Sequence, residues 1–171
     1  MKSDVVIIPL KFFNLTRVGE LSIGGRGGQE RNLGSILLPS ATRVSSPLFD
    51  YEIIDGQTSY LVEIKKQYND QWFDIGKYFR LSESNRNIVI VFVNHDAGKV
   101  NTITAIRLGV LVEFLLSHSE YKRYGWSPDV LRVAHDLKKP EQCPELQFKA
   151  KLKVRNFIED HEEMFQVIYR A

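Results

Sequence analysis

Residues 47–67, with the sequence PLFDYEIIDGQTSYLVEIKKQ, predict a tight β-hairpin around which the rest of the chain is organised. Asp55-Gly56 is a strong signal for a two-residue turn, and β-branched and aromatic residues flank it on both sides. With these two residues as the loop, Asp50 is expected to lie opposite Leu61.

Side chains along such a hairpin alternate between two faces. The first predicted face is apolar and carries Phe49, Tyr51, Ile53, Tyr60, Val62 and Ile64. The second face carries Asp50, Glu52, Leu61, Glu63 and Lys65. A hairpin that serves structure alone has little reason to gather carboxylates and a lysine on one face. The second face is therefore a candidate functional site.

The composition is that of an ordinary globular domain. The chain has 171 residues, 43% hydrophobic and 26% charged, which is enough for a core without disulfides or a structural metal. The single Cys143 excludes an intramolecular disulfide and a cysteine-type zinc site, and it favours a reducing, cytoplasmic location. No apolar run approaches the roughly 18 residues of a membrane span, so no membrane partner is expected. The net charge of +2 does not by itself require an anionic partner.

Two segments upstream of the hairpin have alternative interpretations. Residues 5–10 predict a short buried strand or a packed N-terminal arm, with Pro9 at an edge or a bend. Residues 19–28 are a glycine-rich loop around Arg26. This is either a plain surface loop or a loop pressed against a phosphate backbone, which glycine allows the main chain to approach closely.

A helix is predicted over residues 29–38, with Leu33, Ile36 and Leu37 on its inward face. Glu30 points toward that same side. A carboxylate there is either favoured by the helix dipole in the first turn or paired with a cation.

Three elements are predicted after the hairpin. Residues 69–80 favour a helix, and residues 87–93 (NIVIVFV) predict a central strand buried on both faces. Residues 103–117 predict a long apolar helix, buried in the core or in a subunit contact.

The C-terminal part is rich in basic and aromatic residues. Residues 121–128 (YKRYGWSP) interleave aromatics with Lys122 and Arg123. Residues 148–155 alternate basic and apolar side chains, which predicts a strand whose basic face carries Lys149, Lys151, Lys153 and Arg155. That face is either solvated or follows a phosphate backbone. The acidic run at 159–163 is expected to be a solvent-facing helix end.

Asp50, Glu63 and Lys65 form a D-x12-E-x-K pattern whose chemistry is specific. Two carboxylates from adjacent strands are hard oxygen ligands suited to Mg²⁺, with the backbone carbonyl of Ile64 available as a further ligand. Lys65, on the same face as Glu63, can orient or deprotonate a metal-bound water, or neutralise charge on a reacting phosphate. Mn²⁺ is the expected substitute metal.

This pattern resembles the PD-(D/E)xK nucleases, which include many type II restriction endonucleases, archaeal Holliday-junction resolvases and DNA-repair nucleases. The match spans Glu30 to about Val93. In that family the Asp begins one hairpin strand, E-x-K lies on the next, and an upstream helix often supplies another glutamate, here Glu30. One departure is that Leu48 and Phe49 separate Pro47 from Asp50.

The resemblance implies an α/β fold with a restriction-endonuclease-like core, in which a central mixed β-sheet is flanked by helices in the order αβββαβ. We expect a single nuclease domain over residues 1–171. Its catalytic core occupies about 27–117, and a C-terminal α+β extension, about 119–171, serves recognition or dimerisation.

The implied function is a Mg²⁺-dependent endonuclease acting on double-stranded DNA, as a homodimeric type II restriction enzyme. The segment GGQERNLGSILL is also similar to the start of archaeal junction resolvases, so a structure-specific nuclease is an alternative. A catalytically silent DNA-binding module on the same fold is another. The residues expected to contact DNA are Arg26, Arg31, Arg43, Gln67, Lys122, Arg123, Lys151 and Lys153.

Three further residues are candidates for the site, but their positions favour structural roles. Glu52 lies on the polar face and is interpreted as a supporting residue rather than a ligand. His95 and His135 have no partner at a recognisable spacing and are interpreted as structural histidines.

Overall fold

A computed structural model describes residues 5–23, 28–44, 49–68, 72–74, 87–117 and 151–171, in places through the backbone alone. The strands are β1 (Thr42–Arg43), β2 (Tyr51–Asp55), β3 (Thr58–Tyr68), β4 (Trp72–Asp74), β5 (Ile88–Asp96), β6 (Lys99–Arg107), β7 (Lys151–Lys153) and β8 (Gln166–Arg170). The helices are α1 (Gly28–Leu37), α2 (Leu108–Ser117) and α3 (Val154–Asp160), with 3-10 turns at Leu10–Phe12, Val18–Glu20 and Glu162–Met164.

The main sheet has six strands in the order β1-β2-β3-β5-β6-β8. β3 and β5 are parallel, and the other neighbours are antiparallel. β4 and β7 form a separate antiparallel pair. The prediction of an α/β protein with a mixed sheet is therefore confirmed.

The predicted hairpin is present as β2 and β3, but its pairing differs from the prediction. Asp55 pairs with Thr58, so the loop is Gly56-Gln57, and Glu52 rather than Asp50 lies opposite Leu61. Gly56 has a φ of 63°, which glycine adopts without a steric penalty. The register thus slips by two residues. An even slip leaves each side chain on its predicted face, because the side-chain period of a strand is two.

The apolar face of the hairpin packs against α1. Tyr51, Ile53, Val62 and Ile64 are buried there, in one cluster with Leu33, Leu37 and Leu38. The helix comes so close that a Cβ on Gly34 would lie 2.1 Å from the Tyr51 ring. Glycine at this position is what allows helix and strand to meet.

The inward face of α1 differs from the prediction at one position. Ile36 is 38% exposed, whereas Leu38, just past the helix end, is buried. Residues four apart lie on one helix face, so the stripe runs through Leu33 and Leu37 and leaves Ile36 at its margin.

The N-terminal segment is a packed arm rather than a strand. The backbone N–H groups of Ile7 and Ile8 both donate to Gln166 Oε1 at 2.9 Å, and Gln166 Nε2 donates to the Ile8 carbonyl at 2.8 Å. The buried Gln166 side chain therefore replaces strand pairing for this arm. It also ties the N-terminus to β8, an element that the sequence analysis did not predict.

The predicted buried strand at 87–93 is confirmed and extends to Asp96, with its first seven residues buried. The helix predicted over 103–117 is wrong in its first part. Residues 103–107 belong to β6, which pairs with β5 through a tight turn at Ala97-Gly98, and α2 starts only at Leu108. A continuous apolar run does not distinguish a strand buried on both faces from a buried helix.

Two other predicted elements also differ. Trp72–Asp74 is a strand rather than part of a helix, because it pairs with Lys151–Lys153. The strand predicted for 148–155 covers only Lys151–Lys153 among the described residues, and Arg155 lies in α3. The local alternation of basic and apolar residues thus ends where the helix begins. The remainder of both predicted elements lies outside the described residues.

α2 packs on β5 and β6 and meets α3 through Phe114 and Phe157, whose ring centroids are 5.6 Å apart. Within the described ranges, the structure contains no helix that is both long and apolar enough to cross a membrane.

Candidate active site

Asp50 is fixed at the point where the β2–β3 ladder ends. Its backbone N–H donates to the Val62 carbonyl at 2.9 Å, and its carbonyl accepts from Val44 N–H at 2.9 Å. Its side-chain Oδ2 accepts from the backbone N–H of Ile64 at 3.2 Å. The Asp50 carboxylate therefore accepts a hydrogen bond from β3 that a backbone carbonyl would accept if the ladder continued. It lies beside β3.

Glu63 and Lys65 form a close ion pair on the other face from α1. Lys65 Nζ is 2.8 Å from Glu63 Oε1, and the two side chains are 24% and 6% exposed. Their register neighbours on β5 are the buried Ile90 and Phe92. Charges in such poorly solvated surroundings interact more strongly than on an open surface.

The structure places Asp50 against the strand segment that carries Glu63 and Lys65, the other two predicted catalytic residues. Asp50 bonds to the amide of Ile64, which lies between Glu63 and Lys65 in the chain. A strand residue directs its N–H and C=O to the same neighbouring strand, so the Ile64 carbonyl also faces the Asp50 side. The Asp50 carboxylate and the Ile64 carbonyl thus lie at the end of the β2–β3 ladder, beside the strand segment that carries Glu63 and Lys65.

These groups fit the oxygen preference of Mg²⁺. Among the described residues, no group of three or more His, Cys, Asp and Glu side chains lies close enough to hold a metal ion. Mg²⁺ commonly takes only one or two carboxylates and completes its shell with water and phosphate oxygens. Asp50 and Glu63 supply two. The side chain of Glu30, the predicted additional ligand on α1, lies outside the described residues.

Glu52 has its own partner on the same polar face. Its Oε2 accepts from Ser59 Oγ at 2.8 Å, toward the turn end of the hairpin and away from Glu63. Gln67 continues the face beyond Lys65 and is buried, with 4% exposure. Its carbonyl oxygen Oε1 has no hydrogen-bond partner among the described residues.

The predicted DNA contacts are described in part. Arg43 is exposed on edge strand β1, where it pairs with Tyr51. Only the backbone is described for Arg31, Lys151 and Lys153, in α1 and β7. Arg26, Lys122 and Arg123 lie outside the described residues, as does His135.

His95 occupies the end of β5 beside Tyr68 of β3. Burial lowers the pKa of His95 below its usual 6.5, and the charge of Lys66 lowers it further. The neutral imidazole is therefore favoured near neutral pH, as for a structural histidine.

Sequence reasoning missed a second polar cluster at the β5–β6 turn. Arg155 of α3 donates from both terminal nitrogens to Asp96, at 2.8 and 2.9 Å, and Asn101 donates to the same carboxylate. The hydrogen bonds from Arg155, and then from Asn101, hold the pKa of Asp96 at about 2. The sequence feature that could have revealed this cluster is Arg155. It is the last basic residue of the alternating stretch at 148–155, and it lies in helix α3 rather than in the strand.

No protein-family model matches this chain, and a search of curated proteins finds none with significant similarity.

Proposed function

We propose that this protein is a Mg²⁺-dependent DNA endonuclease of the PD-(D/E)xK type, most like a small type II restriction enzyme. The observation that carries the proposal is the hydrogen bond from Ile64 N–H to Asp50. It joins the first carboxylate to the strand that bears the Glu63–Lys65 pair.

The order of elements supports the same proposal. Helix α1 is followed by three antiparallel strands, β1 to β3, and then by β5, which is parallel to β3. This succession is similar to the αβββ part and the final strand of the αβββαβ core of those nucleases; between β3 and β5 the described residues form only strand β4. The site lies on the two strands that carry it in that family.

Each residue has a role that its position supports. Asp50, Glu63 and the Ile64 carbonyl would hold the metal, which when bound polarises the phosphate and lowers the pKa of a bound water. Lys65 is held by Glu63 and presents a positive charge beside the reacting phosphate, where it stabilises negative charge as the bond to the leaving oxygen breaks. The apolar neighbours Ile90 and Phe92 keep this charge poorly screened by water.

The proposal includes double-stranded DNA as substrate and a symmetric homodimer. The described residues of one chain carry one such site, and cutting both strands of a duplex with one site per chain is most simply achieved by two copies related by a twofold axis.

The test is cleavage of supercoiled plasmid with Mg²⁺. Wild type is expected to give discrete linear fragments, while Asp50→Ala and Lys65→Ala lose activity by about 10²-fold or more, as when a charge-stabilising group is removed. Glu52→Gln is the matched control, since Glu52 lies on the same face but bonds to Ser59. It should retain activity.

Undiminished cleavage by Asp50→Ala and Lys65→Ala would overturn the assigned site. Cleavage confined to four-way junctions would favour a junction-type nuclease. DNA binding without cleavage by wild type at any Mg²⁺ or Mn²⁺ concentration would favour a silent binding module.

A further inference from the structure

A row of polar side chains, buried at Gln67 and Asn94 and half-buried at Thr102, crosses the sheet next to the candidate site. Gln67 of β3 is the register neighbour of Asn94 on β5, and Asn94 is that of Thr102 on β6. Register neighbours share a face, so this row lies on the face that carries Glu63 and Lys65. Asn94 Nδ2 donates to Thr102 Oγ1 at 3.0 Å.

Several oxygens of this region have no partner in the described part of the protein. They are Gln67 Oε1, Asn94 Oδ1 and Thr104 Oγ1, from side chains of residues that are 4%, 4% and 2% exposed. Buried polar atoms in folded proteins almost always have a hydrogen-bond partner, either protein or ordered water. These oxygens therefore call for a partner other than the described protein groups.

A cavity of about 100 Å³ lies directly against two of them. Asn94 and Thr104 form its buried floor. Its rim includes Glu159 and Arg170, whose side chains are 67% and 52% exposed, so the cavity leads from solvent to the sheet. This volume holds several water molecules at roughly 30 Å³ each.

The charges around the cavity favour water over an ion. Arg155, which lines the cavity, is paired with Asp96, and its Nε lies 3.7 Å from Glu159 Oε1. Arg170 is paired with Glu162. Each cation of the lining thus already has a carboxylate partner, whereas the floor offers neutral oxygens that a small hydrogen-bond donor satisfies.

We propose that this cavity is a hydration channel, in which water held by Asn94 and Thr104 extends to Gln67 and so reaches the neighbouring hydrolytic site. The inference rests on the proposed hydrolysis. In that reaction the water oxygen forms a bond to phosphorus as the bond to the leaving sugar oxygen breaks. One water proton passes to that sugar oxygen, and the other leaves to solvent through the channel while DNA covers the open face. Thr104 and Asn94 are positioning residues.

The test compares single-turnover cleavage, started by Mg²⁺, in three variants. Thr104→Val removes the hydroxyl with little change of shape and should slow cleavage about tenfold, the factor for one hydrogen bond of about 1.4 kcal/mol. Thr104→Ser restores the hydroxyl and should recover most of the rate. Thr58→Val, at an exposed hairpin position, is the control and should match wild type.

A crystal structure of the wild type supplies an independent readout, with water expected within hydrogen-bond distance of Thr104 Oγ1 and Asn94 Oδ1. A dry cavity, or a Thr104→Val variant as fast as wild type, would overturn the channel. Equal slowing by Thr104→Val and Thr104→Ser would overturn it too, because packing rather than the hydroxyl would then matter. If wild type and Thr58→Val both fail to cleave, the nuclease proposal fails and the relay role with it, while the crystallographic waters still decide whether the cavity is hydrated.

Discussion

Replacing Lys65 by methionine should destabilise the protein more than replacing its partner Glu63 by glutamine. Loss of Lys65 leaves the Glu63 carboxylate, 6% exposed, without the cation that lies 2.8 Å away, and breaking a buried pair in this way costs about 3–5 kcal/mol. Lys65 is 24% exposed and Glu63 has further contacts, so we expect about 2–3 kcal/mol for Lys65→Met. For Glu63→Gln we expect about 1 kcal/mol, because the released ammonium can reach water.

The double variant then measures the interaction itself. Glu63→Gln with Lys65→Met should lose less than the sum of the single variants, with a coupling of about 1–2 kcal/mol. The assay is urea unfolding at neutral pH in a chelator, so that divalent cations do not contribute. Lys11 and Asp55 provide the matched control pair, at 3.3 Å and with side chains 66% and 34% exposed. Their coupling should stay below about 1 kcal/mol. Additive losses at Glu63 and Lys65, or a Glu63→Gln variant as unstable as Lys65→Met, would refute the reasoning.

Three further predictions concern packing, pH and metal binding. Gly34→Ala should cost about 1–3 kcal/mol in urea unfolding despite alanine's better helix propensity, because its Cβ would meet the Tyr51 ring at 2.1 Å; a Tyr51→Ala background that leaves this cost unchanged would contradict the explanation. The pKa of Asp96 is about 2 in the folded protein and 3.8 without partners, so its pair with Arg155 should stabilise the fold above about pH 4 and lose that effect as the pH falls toward 2. Arg155→Met should flatten this part of the stability–pH curve, and an unchanged curve would count against the pair. Mg²⁺ at ten times its dissociation constant should stabilise wild type by about 1.4 kcal/mol in thermal unfolding, and Asp50→Asn should abolish the shift; an equal shift in both would place the metal elsewhere.

The sequence predicted the functional face of the hairpin better than its pairing. The turn signal at Asp55-Gly56 was one residue away from the true loop, which moved every partner by two positions. Each side chain nevertheless lies on its predicted face, because side chains alternate with a period of two and the register shift is also two. Glu63 and Lys65 therefore share the predicted face. An error of a single position in pairing would have turned the same residues into the core.

Other features depended on contacts that local patterns do not contain. The strand character of 103–107 comes from pairing with β5 and β8. That of Trp72–Asp74 comes from a partner strand, Lys151–Lys153, far along the chain. The hydrogen bonds from the backbone of Ile7 and Ile8 to Gln166 join segments that are far apart in the chain. No periodicity within a short window reports such pairings.

The hydrogen bond between Asp50 and the Ile64 amide has a thermodynamic consequence for the proposed enzyme. Because Oδ2 serves as a backbone acceptor, the rotamer freedom of this side chain is given up when the chain folds and not when a cation or DNA arrives. Binding then begins from an ordered carboxylate, and ordering it adds nothing further to the entropic cost of complex formation. The affinity for a cation or DNA therefore depends on how firmly this hydrogen bond orders the Asp50 side chain before binding. A change that weakens the hydrogen bond would weaken binding, although the groups that contact the ligand stay the same.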